Sequence, residues 1–367
     1  VYGITKLTLM VINKINLKIL YWGLAILVAI SFLGVAYAQV KKEPVLRLIS
    51  RAPIEKKQWS KVEEISSENG KFKGVVTWIY GTESRVAEKF TLKDSMGNIV
   101  WETDSLRSSG GFAIANDGTV IASKHADPSP LVSLSFYDQK GNFIKSTHEF
   151  VNLGSFFSPD GNYYLINSKQ DGLLAYNLKG ELIKNYGLCD DFASSSGLKT
   201  VVVGDQSELR FYHNGKLIAR RNLEGGGNTT GIRVFRPVQR QRTVMSSDGQ
   251  YFALAGRKKL YLFETRKATK LWEIDADDNC SFASVDVSSL AEKVVSVTNV
   301  VSTEKPVRAL YGYLCVYNRK GTKLATQRID YPDDPHIRSV MPIVDISEDG
   351  KFITVNTKFD IYKFELE

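Results

Sequence analysis

A tight turn that recurs seven times constrains this chain more than any other feature. A short apolar segment runs into a turn of the form Ser-x-Asp-Gly, and a second apolar segment follows. The copies are Ser67-Glu68-Asn69-Gly70, Asn116-Asp117-Gly118, Ser158-Pro159-Asp160-Gly161, Ser247-Asp248-Gly249 and Ser347-Glu348-Asp349-Gly350, with degenerate forms at Ser195-Ser196-Gly197 and Ser288 to Glu292. A second turn punctuates six of the seven units further on. It reads Met96-Gly97-Asn98, Lys140-Gly141-Asn142, Lys179-Gly180-Glu181, Asn214-Gly215-Lys216 and Lys320-Gly321-Thr322, with Lys267-Ala268-Thr269 as a copy lacking glycine. Glycine recurs because such turns need positive φ, which costs energy for any residue with a Cβ.

The segments between the turns alternate as strands do, as in Leu131 to Tyr137, Leu209 to Tyr212 and Leu260 to Phe263. Four antiparallel strands per unit, repeated roughly every 36 to 58 residues, point to the blades of a β-propeller. A β-sandwich is the alternative, but it needs no such repeat. The expected fold is therefore all-β, a seven-bladed propeller of four-stranded antiparallel blades behind an N-terminal hydrophobic helix. The seventh unit ends after its third strand, at Phe359 to Glu367. Val45 to Ser50 alternates ahead of the first unit and is expected to supply the missing fourth strand, since an open ring would expose an unpaired edge. The expected division is a signal peptide or anchor over 1–38, a linker and ring-closing strand over 39–57, and the propeller over 58–367.

The repeats resemble the broad bacterial and archaeal superfamily of WD40-like, YVTN-type and quinoprotein-like propellers. Leu260 to Glu273 resembles the strand-turn-strand of quinoprotein repeats, and Ser158 to Ile166 resembles the inner hairpin of WD40-like repeats. The likeness spans about residues 45 to 367. It implies a fold and leaves function open, because such propellers host many activities. Trp-Asp and Gly-His dipeptides and the sialidase Asp-box are missing. Only Trp101 and Trp272 occupy the position of the quinoprotein docking tryptophan, which argues against a bound quinone.

Residues 19 to 38 are uncharged, follow Lys14 and Lys18, and end in Ala36-Tyr37-Ala38, the three parts of a secretory signal. Cleavage would leave a chain beginning near Gln39. An uncleaved membrane anchor is the alternative, since 20 apolar residues can just span a bilayer. Both readings place the rest of the chain outside the cytoplasm, secreted, periplasmic or at the cell surface. Cys189, Cys280 and Cys315 form no metal-binding or disulfide pattern. The net charge of +8 is spread along the chain rather than gathered in one stripe, which argues against nucleic acid as partner.

Enzyme signatures of the nucleophile-elbow, zinc-protease and phosphate-loop kinds are missing. His213 sits beside a turn glycine and reads as structural; His125 and His148 share no motif. Strand order puts the short glycine turns on one face and the variable loops and links on the other, where function usually sits. Candidate binding residues on those links are Arg233, Arg236, Arg240 and Arg242, with His336 and Arg338. Three acid pairs, Asp190-Asp191, Asp277-Asp278 and Asp333-Asp334, are candidate metal ligands for Ca²⁺, or capping acids, or a seat for a cationic partner. The expected function is an exported, non-enzymatic module that binds a protein or glycan of the cell envelope and carries no cofactor. The alternatives are an exported hydrolase or lyase with a metal at the channel mouth, or a structural subunit of a surface assembly.

Overall fold

A computed structural model describes residues 46–53, 62–80, 85–104, 111–125, 131–148, 150, 152–205, 208–223, 243–256, 258–302, 309–332, 341–357 and 359–367. The segment 19–38, with its signal-peptide or anchor reading, lies outside these residues. The described chain is almost entirely strand: seven four-stranded antiparallel sheets, with two single-turn 3₁₀ segments at Ser196–Leu198 and Ser289–Ala291. No helix among the described residues is long and apolar enough to cross a membrane.

Sheets 1 to 6 are each formed by four consecutive strands, over 62–103, 111–146, 152–185, 191–222, 243–275 and 280–330. Sheet 7 takes its first three strands from 343–366 and its fourth from Leu46–Pro53, which pairs antiparallel with Asp360–Leu366. The strand expected beside the C-terminal segment is therefore in place, and the two ends of the folded unit share one sheet. This arrangement is consistent with a β-propeller-like fold.

The second and third strands are the buried ones, and their sequence shows why. In Thr200–Asp205, Val202 packs with Phe211, Phe252 and Phe263 between sheets 4 and 5. Val201 and Val203 pack with Leu165 and Phe192 between sheets 3 and 4. A strand buried on both faces reads as a continuous apolar run rather than an alternating one. Lys293–Val301 repeats the device, with Val294 facing sheet 5 and Val295 facing sheet 7. Six such clusters join sheets 1 to 7 in succession.

The first turns all sit between first and second strands. Their serine organises them: Ser158 Oγ accepts the Tyr163 N–H and donates to Asp160 Oδ1 at 2.6 Å. Ser67, Ser195, Ser288 and Ser347 accept the same backbone N–H in their own units. In sheet 5 that position belongs to Ser246, not to the Ser247 picked out from the sequence, because Ser246 lies two residues before Asp248 and accepts from Tyr251. Neighbouring turns bond to one another. The Asn69 N–H donates to Asn116 Oδ1, Asn116 Nδ2 to the Asp160 carbonyl, the Gly197 N–H to Asp160 Oδ2, and the Ser289 N–H to the Glu348 carbonyl. The turn ends of the sheets therefore lie along one face.

Each fourth strand carries a bulge at the same place. In sheet 3, Tyr176 faces Leu182 and Ala175 faces Lys184, which leaves Ile183 out of register. Val100, Ile144, Ile218, Leu271, Leu324 and Ile49 are the matching residues of the other sheets. A bulged edge twists away from ready pairing with another chain.

Candidate functional site

Charge is sorted across the sheets by strand position. The seven first strands carry Glu63, Glu64, Asp191, Asp286 and Asp345 and no lysine or arginine, whereas the fourth strands carry ten basic residues against four acidic ones. First strands of successive sheets touch, as Val62–Ser66 touches Gly111–Ile114 and Cys280–Val287 touches Ile343–Ile346. Acid therefore collects where the first strands meet, and base collects on the outer edges.

Asp286 and Asp345 stand at one repeat position, two residues before the turn serine. The other five sheets place Ile65, Ala113, Phe156, Ala193 and Val244 there. Asp286 is largely buried. Its Oδ2 accepts the Ile346 N–H at 2.7 Å and its Oδ1 accepts the Val287 N–H at 2.8 Å. Burial pushes its carboxyl up to about 7, with the Asp345 charge adding to the rise and the two N–H donors opposing it. Aligning the repeats on the turn serine would have exposed both residues; searching for paired acids did not.

The acid pairs singled out from the sequence fare differently. Asp190 and Asp191 open sheet 4, where the Asp190 N–H donates to the Gly204 carbonyl and Asp191 Oδ1 accepts the Phe192 N–H at 2.8 Å. Asp277 and Asp278 precede sheet 6. There Lys258 Nζ donates to the carbonyls of Asp277, Asp278 and Cys280, at 3.4, 2.6 and 3.1 Å. The backbone of this link thus closes around the exposed Lys258 ammonium. Among the described residues no three His, Cys, Asp or Glu side chains gather closely enough to hold a metal ion. Asp333, Asp334, Arg233, Arg236, Arg240, Arg242, His336 and Arg338 lie outside the described residues.

The best-built surface lies on the face opposite the turns, at the ends of sheets 6 and 7. Ala309–Asn318 is the third strand of sheet 6 and Lys323–Asp330 its fourth. Tyr311 and Tyr313 meet edge to face with centroids 5.5 Å apart. The Arg328 guanidinium lies over the Tyr311 ring at 4.1 Å and donates to Asp330 Oδ1 at 2.7 Å. Tyr362 of sheet 7 donates its hydroxyl to the Asp330 carbonyl. Arg51 sits over the Tyr362 ring at 5.1 Å and bonds Asp360 Oδ2 at 2.8 Å. Tyr331 donates to Asn299 Oδ1 at 2.6 Å, and Gly312 admits it, since an added Cβ would stand 2.4 Å from the Tyr331 oxygen. Burial raises the Tyr331 phenol far above its ordinary value, so it stays a neutral donor.

These residues offer ring faces, guanidinium groups and carboxylates side by side. Such a set is chemically equipped for stacking and for planar hydrogen bonds. Sequence reading missed it because Arg51 lies about 260 residues from Tyr311 and Arg328, and all three fall within strands rather than loops. No family model matches the chain, and no curated protein matches it.

Proposed function

We propose that this chain is an exported seven-bladed β-propeller that acts as a non-enzymatic binding module for a protein or glycan of the cell envelope. Recognition uses the face opposite the turns. The observation that carries this reading is the stacked array of Arg328 on Tyr311 beside Asp330, Tyr362 and Arg51. Guanidinium groups locked over rings and tied to carboxylates form a preorganised surface, and preorganisation lowers the cost of binding. Arg233, Arg236, Arg240 and Arg242 are proposed to take part in the same recognition.

The test is capture of envelope components and an array of envelope glycans with the full chain, its Tyr311→Ala variant and its Arg328→Ala variant. Retention of a defined partner by the unsubstituted chain, weakened about tenfold or more in both variants, supports the reading. Equal capture by all three overturns this site. A stoichiometric divalent ion in the purified protein, together with turnover of a captured glycan, would favour the hydrolase or lyase alternative.

A further inference from the structure

Sheets 5 and 6 share a hexapeptide that the other repeats lack. Arg266-Lys267-Ala268-Thr269-Lys270-Leu271 and Arg319-Lys320-Gly321-Thr322-Lys323-Leu324 occupy the same place, the turn between third and fourth strands and the first residues beyond it. The two copies touch. Trp272, next after Leu271, donates its Nε1 proton to the Arg319 carbonyl at 3.0 Å. Arg319 in turn donates to the Tyr251 hydroxyl of sheet 5 at 3.2 Å. The fourth strand of sheet 6 contacts Leu46–Pro53 of sheet 7, which presents Arg47, Leu48 and Ile49 at the same end.

The result is an arc of three outer edges on the turn face. Its exposed cations are Arg266, Lys267, Lys270, Arg319, Lys320 and Lys323, with Arg47 at one end. Three of them have acidic partners: Lys267 with Glu264 at 3.5 Å, Lys270 with Glu273 at 2.5 Å and Arg47 with Glu367 at 3.6 Å. Lys320 and Lys323 have none among the described residues. Exposed aliphatic side chains stand among the cations: Leu271 at 40%, Leu48 at 49% and Ile49 at 51%.

We propose that this arc rests on an anionic phospholipid surface. Cations interleaved with exposed aliphatic groups match a headgroup layer, which offers phosphate charge above and acyl chain below. With 19–38 retained as a membrane anchor, the alternative to cleavage, chain connectivity favours the same partner over a soluble polyanion. Leu46 pairs with Leu366 at the turn end of sheet 7, so the chain enters the fold inside this arc. Only seven residues, 39–45, separate it from the uncharged segment 19–38. Seven extended residues reach at most about 25 Å. The face opposite the turns, where partner recognition is proposed, then points away from the membrane.

The experiment uses the full chain incorporated in phosphatidylcholine vesicles containing increasing phosphatidylglycerol. An environment-sensitive dye is placed at Leu271→Cys or, at the matching bulge of sheet 3, at Ile183→Cys. The unsubstituted protein sets the background from its own three cysteines. The expected result is a blue shift and lipid-borne quenching at position 271 that grow with phosphatidylglycerol and fall with salt, and neither at position 183. In the Leu271→Cys background, K267Q/K270Q/K320Q/K323Q should weaken the response roughly a hundredfold or more, as each lysine near an anionic leaflet favours contact about fivefold. Its melting transition is followed in parallel to show that it folds. An unshifted dye at 271, equal shifts at 271 and 183, or a response to soluble polyglutamate or heparin equal to that with anionic vesicles overturns the proposal.

Discussion

Asp286 bridges two sheets through main chain alone: its Oδ2 accepts the Ile346 N–H of sheet 7 at 2.7 Å, while its Oδ1 accepts the Val287 N–H of its own strand at 2.8 Å. A first strand is a sheet edge, so its outward N–H groups need acceptors. Five of the seven sheets place an apolar side chain at this position. Sheets 6 and 7 place carboxylates there, and they oppose each other electrostatically.

A pH dependence follows. The Asp286 carboxyl stands at about 7 in the fold, against about 3.9 in an unfolded chain. Below about pH 4 both states hold the proton. As pH rises from 4 to 7 the unfolded chain releases it first, so stability falls across that window and levels off above 7. The loss is on the order of 2–4 kcal/mol. Asp286→Asn should remove this slope. Its single oxygen leaves one backbone N–H unmatched, so its plateau should sit about 1 kcal/mol below the wild-type value at pH 4. Denaturant midpoints between pH 4 and 8 measure both effects, and identical slopes in the two proteins would contradict the assignment.

Gly172→Ala and Gly70→Ala separate two costs that glycines carry. Both sites have positive φ, +83° and +67°. An added Cβ at Gly70 meets nothing within 4 Å, whereas at Gly172 it stands 2.1 Å from the Gly187 carbonyl carbon and 2.5 Å from the Leu188 nitrogen. Gly70→Ala should cost about 1 kcal/mol from backbone strain alone. Gly172→Ala should cost more than about 3 kcal/mol, because the obstacle is backbone and cannot rotate away. Thermal unfolding of the two variants should rank them in that order.

Removing the strand Leu46–Pro53 should do more than subtract its contacts. Asp360–Leu366 would become an unpaired edge, losing the Arg51 bond to Asp360 and the buried Leu46. Stability should drop by several kcal/mol, and the exposed edge should pair between molecules. A chain shortened to begin at residue 54 is expected to melt lower and to self-associate with rising concentration in light scattering. A monomer with an unchanged melting temperature would show that the strand is dispensable.

How much of this was legible in the sequence depends on whether a feature is local. The turns were, because Gly161 or Gly321 answers a backbone demand within four residues. The expected partner of Phe359 to Glu367 was also legible, since an alternating stray segment has few other places to go. The outer bulges leave a sign in the sequence: Leu182-Ile183, Leu217-Ile218 and Phe143-Ile144 break the period of two where register shifts. Asp286 was missed because its partner is a main-chain N–H 60 residues away. The array of Arg328, Tyr311 and Arg51 needs three strands brought together.

The turn of sheet 6 offers a stabilising substitution. Its serine does the usual work, with Ser288 Oγ accepting the Lys293 N–H at 3.0 Å. The glycine of the other copies is gone, and Leu290 and Ala291 hold φ of +55° and +50° instead. A side-chain-bearing residue in this region costs about 1–2 kcal/mol. Leu290 recovers little by packing, since it is 46% exposed. Ala291 is fully buried against sheets 5 and 6, so it is the wrong residue to change. Leu290→Gly should therefore stabilise the fold by about 0.5–1 kcal/mol after the added freedom of the unfolded chain is counted. Leu290→Asn should recover part of that, because asparagine tolerates positive φ better than leucine. Leu290→Val should lose stability relative to leucine, as branching at Cβ worsens the same clash. Denaturant titration of the three variants should give the order Gly, Asn, Leu, Val. If valine matched leucine, the positive φ at this turn would be ruled out.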